Sequence, residues 1–220
     1  MNDMDNVGFI GLGSMGRGML ANLVDNGVTV SAFDIDAATR RAAAGRGVSL
    51  AENVATVGRD CKRILLSLPD GGVVEDVLFG VGNMASVLAQ GSIIVDTSTT
   101  PADKSRELAE RLLAQGVHFL DAPVTGMETR AADGTLTIMV GGDEQAFQAV
   151  RPLLDHMGTT VVHMGPPGSG QLTKMVNNVL YNISVAAMAE MLPLAARLGL
   201  DPQAIRRVVS SGSGQSFGFD

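Results

Sequence analysis

The sequence predicts an α/β fold in which a doubly wound sheet is followed by the beginning of an all-helical second domain. Three observations predict it. Between residues 7 and 164, short runs rich in Val and Ile alternate with Ala/Leu-rich helical stretches, the rhythm of parallel strands joined by crossover helices. A glycine-rich turn follows the first of those runs. Past a Gly/Pro/Ser cluster at 165–170 no strand pattern returns.

The elements follow in order. The apolar runs are 7–10, 28–33, 63–68, 92–95, 117–120, 136–140 and 160–163. Each is short and bounded by polar or turn-forming residues, as expected of strands buried on both faces. The stretches between them that read as helices are 15–26, 36–44, 73–79, 101–115 and 143–155. Pro101 is preset for a first helical turn, and the acids Asp36 and Asp143 suit helix starts. Beyond the cluster, 171–199 reads as one long helix, and Leu200-Asp201-Pro202 starts another near Gln203. The expected domains are therefore 1–165 and 166–220. A long helix and a short one bury little surface alone, so the second domain is expected to be incomplete.

Composition narrows the function. The chain has 220 residues, 45% hydrophobic and 18% charged, which excludes intrinsic disorder and permits a large core. The net charge is −7 and there is no basic run, so nucleic acid is not an expected partner. One cysteine, Cys61, and three histidines suggest neither a disulfide nor a metal cluster. The first residues are acidic where a signal peptide is basic, and no run of about 18 apolar residues occurs. A cytoplasmic protein with no membrane partner is the expectation.

Gly11-Leu12-Gly13-Ser14-Met15-Gly16 is a G-x-G-x-x-G placed after a strand and before a helix, and Asp34 ends the next strand 18 residues beyond the last glycine. In that context the first glycine permits a tight turn, the second admits a pyrophosphate, and the third lets helix and strand pack closely. The helix N-terminus offers unpaired N–H groups to the anion. This is the Rossmann arrangement. Asp34 should accept from ribose hydroxyls and repel a 2′-phosphate, and Ile35 stands where an NADP site often has Arg, so NAD is favoured over NADP. Arg40 and Arg41, on the following helix, could swing back.

Three further segments have distinctive wording: Asp96-Thr97-Ser98-Thr99-Thr100-Pro101; Asp121-Ala122-Pro123-Val124-Thr125-Gly126, with Gly134 to Gly142 after it; and Gly168-Ser169-Gly170-Gln171-Leu172-Thr173-Lys174-Met175-Val176-Asn177-Asn178. With the glycine turn they resemble the beta-hydroxyacid dehydrogenase family, over essentially the whole chain, although family members continue with further helices. The resemblance implies an oxidoreductase that moves a hydride between NAD and a small 3-hydroxy acid, 3-hydroxyisobutyrate-like, or its semialdehyde. It implies that Lys174 is the catalytic acid/base and that Asn178 assists it. It also implies that Thr125 and Gly126 receive the substrate carboxylate, and that Leu68, Pro69 and Thr99 touch the cofactor beside the glycine turn. Where the family has Gly-Gly, this chain has Gly126-Met127, and Arg130 replaces a later glycine. A homo-oligomer is implied if the helical domain is complete. The alternatives are an NADPH-dependent glyoxylate or succinic semialdehyde reductase, and a truncated dinucleotide-binding module without turnover.

The residues suit that chemistry. A lysine can remove a hydroxyl proton if burial or a helix N-terminus lowers its pKa. Lys174 and Asn178 are i and i+4, so they share a helix face. Thr125 and Gly126 follow a strand expected at 117–120, near the carboxyl edge at which open α/β sheets bind ligands.

Overall fold

The computed structural model describes residues 6–45 and 47–219, so the acidic residues 1–5 lie outside the described residues. Two compact units are present, Met1–Thr173 and Lys174–Asp220.

The first unit is built on one sheet. Its strands are β1 Val7–Ile10, β2 Val30–Phe33, β3 Val48–Leu50, β4 Arg63–Leu66, β5 Ile93–Asp96, β6 His118–Asp121, β7 Val124–Thr125, β8 Leu136–Gly141 and β9 Gly158–Gly165. They lie in the order β3-β2-β1-β4-β5-β6-β8-β7, with β9 paired to β8. β1 runs parallel to both β2 and β4, so the strand order reverses on its two sides, which is the topological switch point of a doubly wound sheet. The sheet is not parallel throughout: β8 is antiparallel to β6 and β7 and parallel to β9.

Why these segments are strands follows from their burial. All four residues of β1 are buried, and alternate side chains enter two separate cores. Val7 and Phe9 pack with Met19, Leu23, Leu65 and Phe147 on one face. Ile10 packs with Val57, Leu66, Leu78 and Ile94 on the other. A strand sandwiched in this way must be apolar at every position, which explains why period-two alternation is missing from its sequence.

The crossover helices are α1 Ser14–Asp25, α2 Ala37–Ala43, α3 Val54–Asp60, α4 Gly71–Leu78, α5 Ala102–Leu113, α6 Met127–Ala132 and α7 Glu144–Asp155. Side-chain carboxylates start several of them: Asp36 accepts from Thr39 N at 2.6 Å and Asp143 from Ala146 N at 2.8 Å. Some expectations shift. β4 ends at Leu66, so Leu68 and Pro69 belong to the loop after it. β3, α3, β7 and α6 had no counterpart in the sequence reading.

α8, Ser169–Arg197, starts in the first unit and continues into the second, so the two compact units divide within it, between Thr173 and Lys174. In the second unit α9, Pro202–Ser211, is capped by Asp201, which accepts from Gln203 N and Ala204 N. Among the described residues α8 is the one helix long and apolar enough, by length and composition, to cross a membrane.

Candidate dinucleotide site and catalytic residues

The cofactor residues named from the sequence gather at the carboxyl ends of β1, β2, β4 and β5. Gly11 adopts φ +95° directly after β1, and a Cβ there would lie 2.1 Å from the Ser67 carbonyl oxygen. Only glycine tolerates both conditions. A Cβ on Gly16, in the first turn of α1, would meet the Gly11 carbonyl oxygen at 2.0 Å, so this glycine serves the close packing of helix on strand. Gly13 differs: a Cβ there would have nothing within 4 Å. It is exposed, as is Ser14, and as the N-cap of α1 it provides no side-chain cap hydrogen bond. The turn thus holds one position free of side chain and facing open space, beside helix N–H groups that no cap satisfies. That is the cradle a dinucleotide pyrophosphate requires. Leu12 is buried in the core and Met15 is half-buried, so these two anchor the turn.

Asp34 follows β2. Its Oδ2 accepts from Leu12 N at 2.7 Å and its Oδ1 from Asp36 N at 2.8 Å, so backbone N–H groups fix the carboxylate beside the glycine turn. A carboxylate has about four acceptor positions, which leaves capacity for ribose hydroxyls. Leu68 N donates to Ser98 Oγ at 2.9 Å, linking the loops after β4 and β5. Pro69 and Thr99 are exposed on those two loops. The residues present fit an NAD(P) dinucleotide.

Thr125 and Gly126 follow the end of β6, and Thr125 lies within the two-residue strand β7, paired with Thr137 of β8. Gly126 caps α6 with φ +139°, and the Arg130 side chain lies over it, its Cβ 2.7 Å from where a Cβ on Gly126 would be. Part of Arg130 is thereby spent on packing. Met127 takes φ +61° with its side chain 68% exposed. The backbone therefore holds a non-glycine residue in the left-handed region, which a glycine adopts more freely.

Sequence reasoning missed the network that fixes the start of α8. Asp96 and Asp121 end neighbouring strands in register and are fully buried. Asp121 Oδ1 accepts from Gly168 N at 2.7 Å and its Oδ2 from Gln171 N at 2.9 Å. Gln171 is buried too; its Nε2 donates to Ser98 O at 2.8 Å and its Oε1 accepts from Thr100 N at 3.2 Å. Asp96 accepts from Ser98 N and Thr100 Oγ1. Burial raises the pKa of both acids, that of Asp96 to about 6, against the lowering effect of these hydrogen bonds. Gly170 completes the anchor, since a Cβ there would meet the Met139 carbonyl oxygen at 2.3 Å. The available signal was an Asp at the end of two successive strands and a Gln immediately after the G-x-G.

Lys174 opens the second unit, three residues beyond Gln171 on the same helix. It is half-buried, as is Asn178, while Met175, Val176 and Asn177 between them are exposed, so the i, i+4 pair shares the more enclosed face. Burial lowers the lysine pKa from its ordinary value. Asn178 Oδ1 accepts from Asn177 Nδ2 at 3.4 Å.

Known proteins resemble this chain in sequence and fold. Residues 6–165 match the family described as the NAD binding domain of 6-phosphogluconate dehydrogenase. Residues 168–220 match the family described as the NAD-binding domain of NADP-dependent 3-hydroxyisobutyrate dehydrogenase. The chain belongs to the beta-hydroxyacid dehydrogenase family. Within it, 2-(hydroxymethyl)glutarate dehydrogenase of Eubacterium barkeri is 38% identical over 97% of this chain and 71% of its own length. The mitochondrial 3-hydroxyisobutyrate dehydrogenase of Mus musculus is 36% identical over 97% of this chain and 64% of its own length. Among solved structures, the Mycobacterium tuberculosis 3-hydroxyisobutyrate dehydrogenase with L-serine superposes at a TM-score of 0.91, with 32% identity over 98% of this chain and 73% of that one. This chain thus spans about two thirds of the family members it resembles.

Proposed function

We propose that the protein transfers a hydride between NAD and a small 3-hydroxy acid of the 3-hydroxyisobutyrate type, or its semialdehyde, with Lys174 as general acid/base. The observation that carries this reading is the glycine turn with Asp34, where each of the three glycines meets a different physical requirement and the acid is fixed beside them. The named activities of the relatives, and the NAD(P)-binding families that match both halves of the chain, support it.

When bound, the nicotinamide accepts or returns the hydride. The protein's own residues do the rest. Backbone N–H groups at 13–16 would hold the pyrophosphate, Asp34 would accept from the ribose, and Leu68, Pro69 and Thr99 would flank the cofactor. The negative charge of Asp34 favours NAD over NADP. The Thr125 hydroxyl and Gly126 N–H receive the substrate carboxylate. Lys174 Nζ takes the hydroxyl proton during oxidation and returns it during reduction. Burial lowers its pKa from the ordinary lysine value, which supports that role because it makes the neutral, proton-accepting amine easier to reach. Asn178, one turn on, orients the amine or the substrate oxygen. An acidic small molecule is the partner this site suits, and association of copies accompanies the reading.

Titration with NADH, paired with an assay on 3-hydroxyisobutyrate, L-serine and glycerate, tests it. The expected result is binding and turnover, with Lys174→Ala losing turnover by at least about 100-fold while NADH still binds. Binding without turnover of any hydroxy acid would make the protein a dinucleotide-binding module instead.

A further inference from the structure

We propose that Asn22 is a positioning residue for the substrate: from α1, the helix that opens at the glycine turn, it seats the short helix α6 and so sets the place of the Thr125–Gly126 turn; the proposal rests on the function read above. α6 has six residues, too few to hold as a helix in water by itself. The last four carbonyls of a helix have no partner inside it. Here Thr129 O accepts from Asp133 N at 3.0 Å and Arg130 O from Thr135 N at 2.9 Å. The remaining two, Ala131 O and Ala132 O, accept from Asn22 Nδ2 at 2.8 and 3.3 Å, although Asn22 lies 109 and 110 residues away in the chain.

Both helices are shaped for this contact. Gly18 lies one turn before Asn22 on α1, and a Cβ there would meet the Ala131 carbonyl carbon at 2.8 Å, so the two backbones touch where the glycine stands. Asn22 Nδ2 also donates to Gly18 O at 2.9 Å, which aligns the amide along its own helix. Its two N–H groups are thus shared among three carbonyl oxygens. On the other side Gly134 has φ +67°, and a Cβ there would lie 3.0 Å from Asn22 Oδ1. Ala131 is fully buried and Asn22 half-buried, so backbone from α1, α6 and the turn after α6 surrounds the amide.

Gly126 is the one residue between β7 and α6. The pairing of β7 with β8 fixes Thr125 from one side. From the other side α6 fixes Gly126 and Met127, and it carries the Arg130 side chain that lies over Gly126. α1 begins at Ser14, so a single helix offers N–H groups for the pyrophosphate at its start and the seat of α6 on its second and third turns. Asn22 thereby sets the spacing between the cofactor turn and the carboxylate turn. Without its donor the carboxylate turn shifts while the glycine turn stays in place, so substrate affinity registers the loss and cofactor affinity does not.

Steady-state kinetics with 3-hydroxyisobutyrate and L-serine, beside NADH titration and thermal melts, test this on Asn22→Ala, on the isosteric Asn22→Asp, and on Leu112→Ala, which trims a buried side chain in the core on the opposite face of the sheet. For both Asn22 variants KM is expected to rise by at least about tenfold, with kcat within about threefold and NADH affinity within about twofold of wild type. Asn22→Asp is expected to be the worse of the two although it keeps the volume, because its carboxylate faces carbonyl oxygens. Leu112→Ala is expected to lower the melting temperature and leave KM unchanged. If Asn22→Asp does not fold, Asn22→Ala alone decides. If the folded Asn22 variants keep the wild-type KM, or if Leu112→Ala raises KM as much as they do, Asn22 positions nothing and the proposed activity still stands. If the wild type binds NADH but turns over no hydroxy acid, that activity falls and takes this proposal with it.

Discussion

At the scale of single residues, the glycine turn assigns its three glycines separable duties, and substitution should separate them. Gly13 has φ −60° and open space about its Cβ position, so Gly13→Ala should leave stability within about 0.5 kcal/mol of wild type while weakening NADH binding by tenfold or more. Gly16→Ala places a methyl 2.0 Å from a backbone oxygen and should cost several kcal/mol, lowering the melting temperature whether or not ligand is present. Equal effects of the two on stability would contradict the division. This motif was legible because all its information is local: three glycines, a strand before, a helix after. That Arg40 and Arg41 could swing back was legible from their place after the acid; that Arg40 is the one donating to the carbonyl oxygens of Asp34 and Ile35 was not. The conformation of Met127 was equally hidden, although Gly126-Met127 was visible as a departure from Gly-Gly.

At the scale of elements, the start of α8 is set by groups far apart in the chain. Asp121 and Gln171 are separated by 50 residues, and Gln171 and Ser98 by 73. Gln171→Ala would strand the buried Ser98 carbonyl and Thr100 N–H, at about 1–3 kcal/mol for each. The expected outcome is a loss of roughly 2–6 kcal/mol in urea melts, together with faster amide exchange in the first turns of α8. Unchanged exchange there would show that the amide side chain does not anchor the helix. Such a network cannot be read from a sequence, because it depends on which strand ends the topology brings together. The buried strands β1 and β4 were legible, since burial on both faces forces a continuous apolar run. β3 was not: its three residues are half-buried or exposed and carry no pattern. α3 includes Gly58, a poor helix former, and a Cβ there would meet Met84 Cγ at 2.7 Å, so packing overrides propensity. α6 is short and is entered through two residues of positive φ.

At the scale of the whole molecule, the proposed function assigns cofactor binding to the first unit and proton transfer to Lys174, the first residue of the second. Burial lowers the Lys174 pKa below 10.5, so the neutral amine is present at lower pH than in an ordinary lysine. Oxidation of the hydroxy acid uses the neutral amine, so kcat/KM should rise with pH through that lowered pKa and then level off. Reduction uses the ammonium and should fall through the same value. The most direct measurement is the pH profile of kcat/KM for NAD-linked oxidation by wild type and Lys174→Ala. The account predicts a rising limb for wild type, with an apparent pKa below 10.5, and its disappearance in the variant. A limb of the same pKa persisting in the variant's residual activity would contradict it, because another group would then be handling the proton.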